Sequence, residues 1–229
     1  MIVHLWHELP RFLGYYNLLF LATALLNTLL LSVLGCVVGG ICGLGLAVMR
    51  TSRSRAMALP RALAFLTVEL FRRLPPLVVL MLAFFTASLT RTDLSLFHVA
   101  LIGLSLIATA SLSEIIRGGV LSVHRTQWDA AATLNFGYLR CFFTVILPQG
   151  WRVILPPATS FLLLFIKDTA FASQLGTLEL TYAGKMLTTR GFSAALSYGS
   201  VLILYFALST SLSRFGTWTE RRLAIPEHS

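Results

Sequence analysis

Long runs of apolar residues, separated by short polar stretches, recur along the chain. A helix that crosses a hydrocarbon core of about 30 Å needs about 20 mostly apolar residues. The runs therefore predict about five transmembrane helices in an all-α, polytopic membrane protein. Their approximate ranges are 18–49, 74–89, 97–116, 142–166 and 194–215. Together they form a single transmembrane domain over residues 18–216, between an interfacial N-terminus at 1–17 and a cytoplasmic tail at 217–229.

The N-terminal segment, MIVHLWHELPRFLGYY, mixes charged residues, a proline and aromatic residues. It has no charged region ahead of a short apolar stretch, so we expect no cleavable signal peptide. Aromatic side chains prefer the headgroup level of a bilayer. We therefore expect Trp6, Tyr15 and Tyr16 to lie at the membrane interface.

Three glycines recur every four residues in the first span, at Gly35, Gly39 and Gly43. Small residues at this spacing allow another helix to approach closely. We expect this face to pack against a helix of the same chain, and a subunit interface is the alternative.

Prolines mark the second and fourth spans. Pro75 and Pro76 stand where the second span begins, and proline is tolerated in the first turn of a helix. Pro148, Pro156 and Pro157 lie within or beside the fourth span. Because a proline removes a backbone hydrogen bond, these three predict a broken or kinked helix.

A basic segment follows the first span. It contains Arg50, Arg53, Arg55, Arg61, Arg72 and Arg73. Residues 59–71 can form a helix, but arginines are expensive inside a bilayer. We therefore expect this helix on the cytoplasmic surface.

Composition agrees with a membrane protein. Hydrophobic residues make up 56% of the chain and charged residues 12%, with a mean hydropathy of +0.80. Soluble domains carry roughly 25% charged residues. The net charge of +9 would suggest nucleic-acid binding in a soluble protein. In a membrane protein the excess of positive charge in cytoplasmic loops is the better explanation, so we expect no nucleic-acid partner.

The distribution of positive charge predicts the orientation. Twelve arginines fall in the segments assigned to the cytoplasm, and five basic residues fall outside. The first set is Arg50, Arg53, Arg55, Arg61, Arg72, Arg73, Arg117, Arg125, Arg140, Arg214, Arg221 and Arg222. The second set is Arg11, Arg91, Lys167, Lys185 and Arg190, and Arg152, near the membrane, is counted in neither set. This imbalance predicts an external N-terminus, a cytoplasmic C-terminus and a cytoplasmic loop at 117–140.

The cysteines and histidines do not indicate a disulfide or a metal site. The three cysteines, Cys36, Cys42 and Cys141, have no metal-ligand spacing. His4 and His7 can share a helical turn but lack a third ligand. We expect neither a disulfide nor a metal site.

The loop at 117–140 contains the stretch SVHRTQWDAAATLN, which predicts a helix of about ten residues. Asp129 near its start would suit the helix dipole. Asn135 stands where a left-handed residue ends a helix. An exposed helix with an acid at one end and small residues along one side suits docking. A surface helix without a partner explains the same pattern equally well.

A resemblance favours docking. The loop resembles the signature of ABC-transporter permease subunits, a Glu-Ala-Ala followed by a glycine and by Ile-x-Leu-Pro. Here the matching residues are Asp129-Ala130-Ala131, Asn135 and the segment Val145 to Pro148. VELFRRLPPLVVL, SEIIRGGVLSVHRTQWDAA and FIKDTAFASQLGTLELTYAGK are similar to further motifs of the polar amino-acid uptake branch of that family.

This resemblance implies a function and partners. The chain would be the membrane-spanning permease of a binding-protein-dependent importer in the bacterial inner membrane. Two cytoplasmic ATPase subunits, a second permease chain and a periplasmic amino-acid-binding protein would complete it. ATP and Mg would bind the ATPases, since neither Lys167 nor Lys185 lies in G-x-x-x-x-G-K-[ST], and no cofactor is expected on this chain. The expected ATPase-coupling residues are Asp129, Ala130, Ala131, Leu134, Asn135 and Gly137.

Polar residues at membrane depth are candidates for the substrate pathway. They are Thr109, Ser113, Glu114, Thr159, Ser160, Lys167 and Asp168. Hydrogen bonding between helices is the alternative role of the hydroxyl groups. Glu114 is alternatively a structural partner of Arg117 or of the Arg72/Arg73 region, and Glu69, Arg72 and Arg117 are expected in structural ion pairs. For Lys167 and Asp168, an outer ion pair and a substrate contact are equally favoured.

Departures from the family pattern favour a heterodimer. Arg73-Leu74 replaces a usual Gly-Thr, and Val79 stands where glutamine is common. With fewer polar groups here, a second permease chain would hold most of the substrate site. The alternative function is a multi-span transporter or channel that is not coupled to an ATPase. No motif of an intramembrane enzyme, such as G-x-S-x-G or H-E-x-x-H, occurs.

Overall fold

The computed structural model describes residues 2–91 and 93–223, with side chains at 7–91, 93–219 and 222. Within these residues the structure is helical and contains no strand. The helices are α1 (Ile2–Phe12), α2 (Tyr15–Thr51), α3 (Ala58–Arg73), α4 (Pro76–Leu89), α5 (Leu96–Ser122), α6 (Arg125–Thr133), α7 (Tyr138–Cys141), α8 (Leu147–Asp168), α9 (Leu180–Thr189) and α10 (Ala194–Leu223). The side chains of His4 and Trp6, and the predicted tail beyond Leu223, lie outside the described residues.

Four segments of the described chain are long and apolar enough to cross a membrane. They are Tyr15–Thr51, Leu96–Ser122, Tyr138–Leu175 and Ala194–Thr219. A fifth is reached when α3 and α4 are taken together as one bent span. These helices confirm the predicted all-α, polytopic fold class. The predicted second span at 74–89 is present as the helix α4, but its 14 residues, about 21 Å at 1.5 Å per residue, are too few to cross a membrane without α3.

The break between α3 and α4 has a local cause. Leu74 adopts an extended backbone (φ −80°, ψ 138°), the conformation that a following proline favours. Pro76 then occupies the first turn of α4, where its missing N–H has no helical partner to lose. The predicted helix at 59–71 is confirmed as α3.

Contacts divide the chain into two compact units. The first combines Met1–Gly35, Pro75–Leu104 and Leu163–Leu212. The second combines Cys36–Leu74, Ser105–Leu162 and Ser213–Ser229. Each unit has its own buried core, and we describe each by itself.

The core of the first unit joins α1 and α2 to α9 and α10. Phe12 meets Phe192 edge to face, with ring centroids 5.2 Å apart. Leu180 and Leu187 are fully buried beside them. Tyr15 and Tyr16 are 72% and 82% exposed, as aromatic residues at a membrane interface would be.

Glu179 caps the start of α9 in the same unit and is fully buried. Its carboxylate accepts hydrogen bonds from the backbone N–H groups of Thr181 and Tyr182 at 2.8 and 2.7 Å, and from the Tyr205 hydroxyl at 2.9 Å. Burial raises the pKa of Glu179 even though these donors favour the charged form. A buried acid with three donors holds the start of α9 firmly in place.

In the second unit α2 packs closely on α5. A Cβ added at Gly39 would lie 2.4 Å from the Ala108 Cβ, and one added at Gly43 would lie 2.9 Å from the Ser113 backbone nitrogen. Only glycine permits this approach of the two backbones. The expected packing of the glycine face within the chain is confirmed at both positions.

The fourth predicted span is irregular, but not at its paired prolines. The helix continues through Pro156 and Pro157. A π-helical turn at Phe142–Ile146 precedes Pro148 instead. Proline cannot donate to the carbonyl four residues earlier and its ring clashes with it, and the wider π turn accommodates that ring.

Replacement of Gly39 by leucine tests the α2–α5 contact. The new side chain would overlap Ala108, so we expect a loss of about 1–3 kcal/mol of stability, as for other overpacked sites. The matched control is Gly45→Leu on the same helix, where an added Cβ meets nothing within 4 Å. In detergent, the midpoint temperature of thermal unfolding should fall by several degrees for Gly39→Leu and stay unchanged for Gly45→Leu. Equal midpoints for the two variants would contradict the packing.

Candidate functional site

The predicted docking helix is present as α6, nine residues long. His124 caps its start, where its Nδ1 accepts a hydrogen bond from the Thr126 N–H at 3.4 Å. Asn135 has a φ of +58°, which confirms the expected left-handed residue. The N–H groups of Asn135 and Phe136 donate to the carbonyls of Ala132 and Ala131 at 2.9 and 3.0 Å. This is the paired hydrogen-bond pattern of a Schellman C-cap, and it stops the helix there.

Asp129 lies elsewhere than expected. Because α6 begins at Arg125, Asp129 falls in the second turn, and no acid occupies the first turn. The helix dipole therefore stabilises the negative charge of Asp129 only weakly, because its effect is confined to the first turn. Its side chain is exposed.

Ala131 also differs from expectation. Its side chain is 3% exposed and packs in a cluster with Val120, Cys141, Phe142 and Ile146. Partly buried residues of α2 and α5, including Val48 and Ile116, extend this cluster. Ala131 is therefore part of the chain's own core, and its expected role in ATPase coupling stays a prediction.

Tyr138 anchors the helix, and the sequence did not single it out. Its ring stacks on Trp128 of α6, with centroids 6.0 Å apart and planes 14° apart. Its hydroxyl lies 2.8 Å from the Val48 carbonyl and 2.7 Å from the Thr51 hydroxyl, both at the end of α2. An aromatic residue directly after Asn-Phe-Gly was the available signal, but its partners are 87 and 90 residues away.

The outer face of α6 remains exposed. It carries Asp129, Ala130 and Thr133, and the chain beyond it exposes Asn135 and Gly137. Three leucines around it also have large exposed fractions, namely Leu121 at 61%, Leu134 at 70% and Leu139 at 58%. Gln127 and Gln149 tie the inner side of α6 to α8 through a 3.2 Å hydrogen bond. One face is thus anchored and the other is free for contact.

Glu114 on α5 lies at the centre of an ion cluster. Arg117 binds both of its oxygens, one of them through Nε at 3.1 Å. Arg50 lies 2.8 Å away and Arg72 3.8 Å away. The expected pairing with Arg117 and Arg72 is present, and Arg50, only 7% exposed, is an addition that the sequence did not indicate. Glu69 pairs with Arg73 at 2.6 Å.

Two of the four hydroxyl groups in the predicted pathway donate hydrogen bonds within their own helices. Thr109 donates to the Ser105 carbonyl at 2.7 Å, and Thr159 to the Leu155 carbonyl at 2.9 Å. Ser113 is fully buried, and its hydroxyl has no hydrogen-bond partner in the part of the chain that the structure describes. Ser160 is exposed. The alternative of hydrogen bonds between helices does not apply to Thr109 and Thr159.

Lys167 and Asp168 end α8 in the first unit. Lys167 is exposed and Asp168 half-buried, and neither forms an ion pair within residues 2–91 and 93–223. Lys167 borders an open cavity of about 530 Å³, together with Thr181, Tyr198, Tyr205 and other residues of α10. An outer ion pair is therefore not seen among the described residues, and the cavity beside Lys167 has a mainly apolar wall.

Comparison with known proteins places this geometry in a family. Residues 57–225 match the binding-protein-dependent transport system inner membrane component family. The probable amino-acid ABC transporter permease protein YckA of Bacillus subtilis is 32% identical over 197 residues, 86% of each chain. The L-cystine transport system permease protein TcyB of the same organism is 34% identical over 197 residues, 86% of this chain and 83% of that protein.

A solved structure agrees. A crystal structure of an amino acid ABC transporter with histidines superposes with a TM-score of 0.79 and 26% identity, over 89% of this chain and 94% of that one. The resemblance found in the four sequence motifs is therefore confirmed across most of the chain. The chain belongs to the family of binding-protein-dependent transport system inner membrane components, the permease subunits of ABC importers.

Proposed function

We propose that this chain imports a polar amino acid and that the outer face of α6 docks on a cytoplasmic ATPase. The substrate class rests on relatives named for amino-acid and L-cystine transport. ATP and Mg would bind the ATPase subunits, and a periplasmic binding protein would deliver the substrate. In this arrangement the N-terminus is external and the C-terminus cytoplasmic, as the distribution of arginine favours.

The observation that carries the docking proposal is the two-sided placement of α6. Ala131 and Trp128 attach one side to the chain's own core, whereas Asp129 and Ala130 are exposed on the other. Exposed leucines next to the helix add apolar contact area, 70% of Leu134 being accessible. Exposed apolar patches rimmed by polar residues mark protein interaction sites. A short capped helix of this kind fits a groove in a partner.

The anchoring of α6 supports coupling by rigid-body motion. A displacement of α6 is transmitted to α2 through Tyr138. It is transmitted to α5 and to the start of α8 through the buried cluster around Phe142. Densely packed side chains transmit displacement with little loss. Closure of the ATPases would therefore move these helices together.

The substrate pathway is proposed from the polar groups that remain at membrane depth. Ser113, Glu114 and Ser160 in the second unit, and Lys167 and Asp168 in the first, are the candidates that no helical hydrogen bond explains fully. Val79 is buried and adds no polar group where the family has glutamine. A heterodimer in which a second permease supplies most substrate contacts therefore remains the favoured assembly. Transport by this permease expressed with only the ATPase would overturn it.

Asp129→Arg tests docking directly. Removing or reversing one charge of a buried interface pair lowers the binding free energy by about 2–5 kcal/mol, because its partner is left unpaired. We expect the ATPase activity stimulated by substrate-loaded binding protein to fall at least tenfold in reconstituted complex. The control is the same change at Asp93, an exposed loop residue, which should leave activity within about twofold. Normal stimulation in Asp129→Arg, with the ATPase still bound, would refute docking through this face.

Tyr138→Phe tests the anchor. The variant keeps the stack on Trp128 and loses the hydroxyl between Val48 and Thr51, a loss of about 1 kcal/mol. We expect fewer substrate molecules transported per ATP hydrolysed, because α6 would move with less effect on α2. Tyr15→Phe, at an exposed tyrosine, is the control. An unchanged transport-to-hydrolysis ratio in Tyr138→Phe would contradict coupling through this contact.

A further inference from the structure

Arginine is in excess over carboxylate where α2 ends and α3 passes α5. Five arginines gather there around two acids, an excess of three positive charges. The arginines are Arg50, Arg61, Arg72, Arg73 and Arg117, and the acids are Glu69 and Glu114. Glu69 is engaged by one arginine and Glu114 by three. The single charge of Glu114 cannot neutralise three guanidinium groups.

Arg61 stands apart within this group. Its Nη1 donates to the backbone carbonyl of Ser52 at 2.6 Å, which is a neutral partner. Among the described residues no carboxylate lies in salt-bridge range of it. A guanidinium has five N–H donors in a planar fork, so Arg61 keeps most of its binding capacity.

A cavity of about 630 Å³ opens beside these arginines. Three arginines line it, together with Phe65 and the two acids, and these arginines are Arg50, Arg61 and Arg117. This volume lies in the range of sites that hold small ligands. Both acids are already paired with arginine, so the net field in the cavity favours an anion. Guanidinium groups bind phosphate oxygens in pairs.

A second face of α3 carries an apolar stripe. Leu59, Leu63, Leu66 and Leu70 follow helical spacing and are 55–70% exposed. The helix buries a different side, at Ala64 and Val68, which are 3% and 0% exposed. One helix thus presents arginine to a cavity and leucine to its surroundings, which is the pattern of a helix lying in a membrane interface.

We propose that this cavity binds the phosphate of an anionic phospholipid, whose acyl chains lie along the leucine stripe of α3. Arg61 would contact the phosphate, while Arg50 and Arg117 stay paired with Glu114. The stripe distinguishes a lipid from free phosphate, because only a lipid brings apolar chains to Leu59, Leu63, Leu66 and Leu70. This site shares Glu114 with the proposed substrate pathway and is independent of docking through α6.

Native mass spectrometry of the full chain in detergent tests the proposal. Delipidated protein is titrated with phosphatidylglycerol, phosphatidylcholine or inorganic phosphate. We expect retained phosphatidylglycerol, little phosphatidylcholine and no competition by phosphate at equal concentration. Arg61→Gln should weaken phosphatidylglycerol retention at least tenfold. The control Arg55→Gln, which removes one charge from an exposed residue of the same segment, should stay within about twofold.

Leu66→Gln is a second variant that does not depend on the Arg61–Ser52 hydrogen bond. Leu66 is 62% exposed, so its replacement should leave the fold intact and weaken phosphatidylglycerol retention several-fold. Equal retention of phosphatidylcholine, equal loss in Arg55→Gln and Arg61→Gln, or wild-type retention in Leu66→Gln would each overturn the lipid site. Full competition by inorganic phosphate would identify a free-phosphate site instead and also overturn it.

Discussion

The close approach of α2 to α5 is the constraint on which the second unit depends. Gly39 and Gly43 bring the two backbones together, and Ala47 and Arg50 follow on the same helical face. Ala47 is fully buried, and Arg50 reaches Glu114 at 2.8 Å. The same inner end of α2 supplies the Val48 carbonyl and the Thr51 hydroxyl to Tyr138. A side chain at either glycine would displace the partners of both the ion cluster and α6.

The placement of α6 explains the composition of its segment. A buried position against Phe142 and Cys141 admits only a small side chain, and Ala131 meets that demand. The outer positions carry an acid and small residues that leave room for another protein. A helix of nine residues that ends at a left-handed Asn135 is short enough to be held rigidly by a few contacts. Because α6 is held rigidly and is exposed on its outer face, it is suited to transmit motion from another protein to the membrane helices.

Local rules predicted the features that depend on nearby residues. Spacing and backbone preference were enough to predict the left-handed Asn135 and the helix at 59–71. They also predicted the pairing of Glu114 with Arg117, three residues later, and the close packing of the glycine face. The span pattern likewise predicted the fold class, because apolar length is a property of single segments. Four motifs in order along the chain were enough to predict the family.

Tertiary contacts and helix register decided the rest. Arg50 meets Glu114 across 64 residues and Tyr138 meets Val48 across 90, distances over which no pattern pairs residues. The inward turn of Ala131 and the second-turn position of Asp129 follow from where α6 begins, and a shift of one residue rotates every side chain by 100°.

Docking through α6 requires that its outer face touches the ATPase in the working complex. Site-specific photo-crosslinking measures this most directly, with the reactive group at position 130 and, for comparison, at position 93. Complex that still hydrolyses ATP is irradiated, and covalent products are identified by mass. If α6 docks on the ATPase, position 130 forms a crosslink to the ATPase subunit and position 93 forms none. An active complex that yields no such product from position 130 would contradict it.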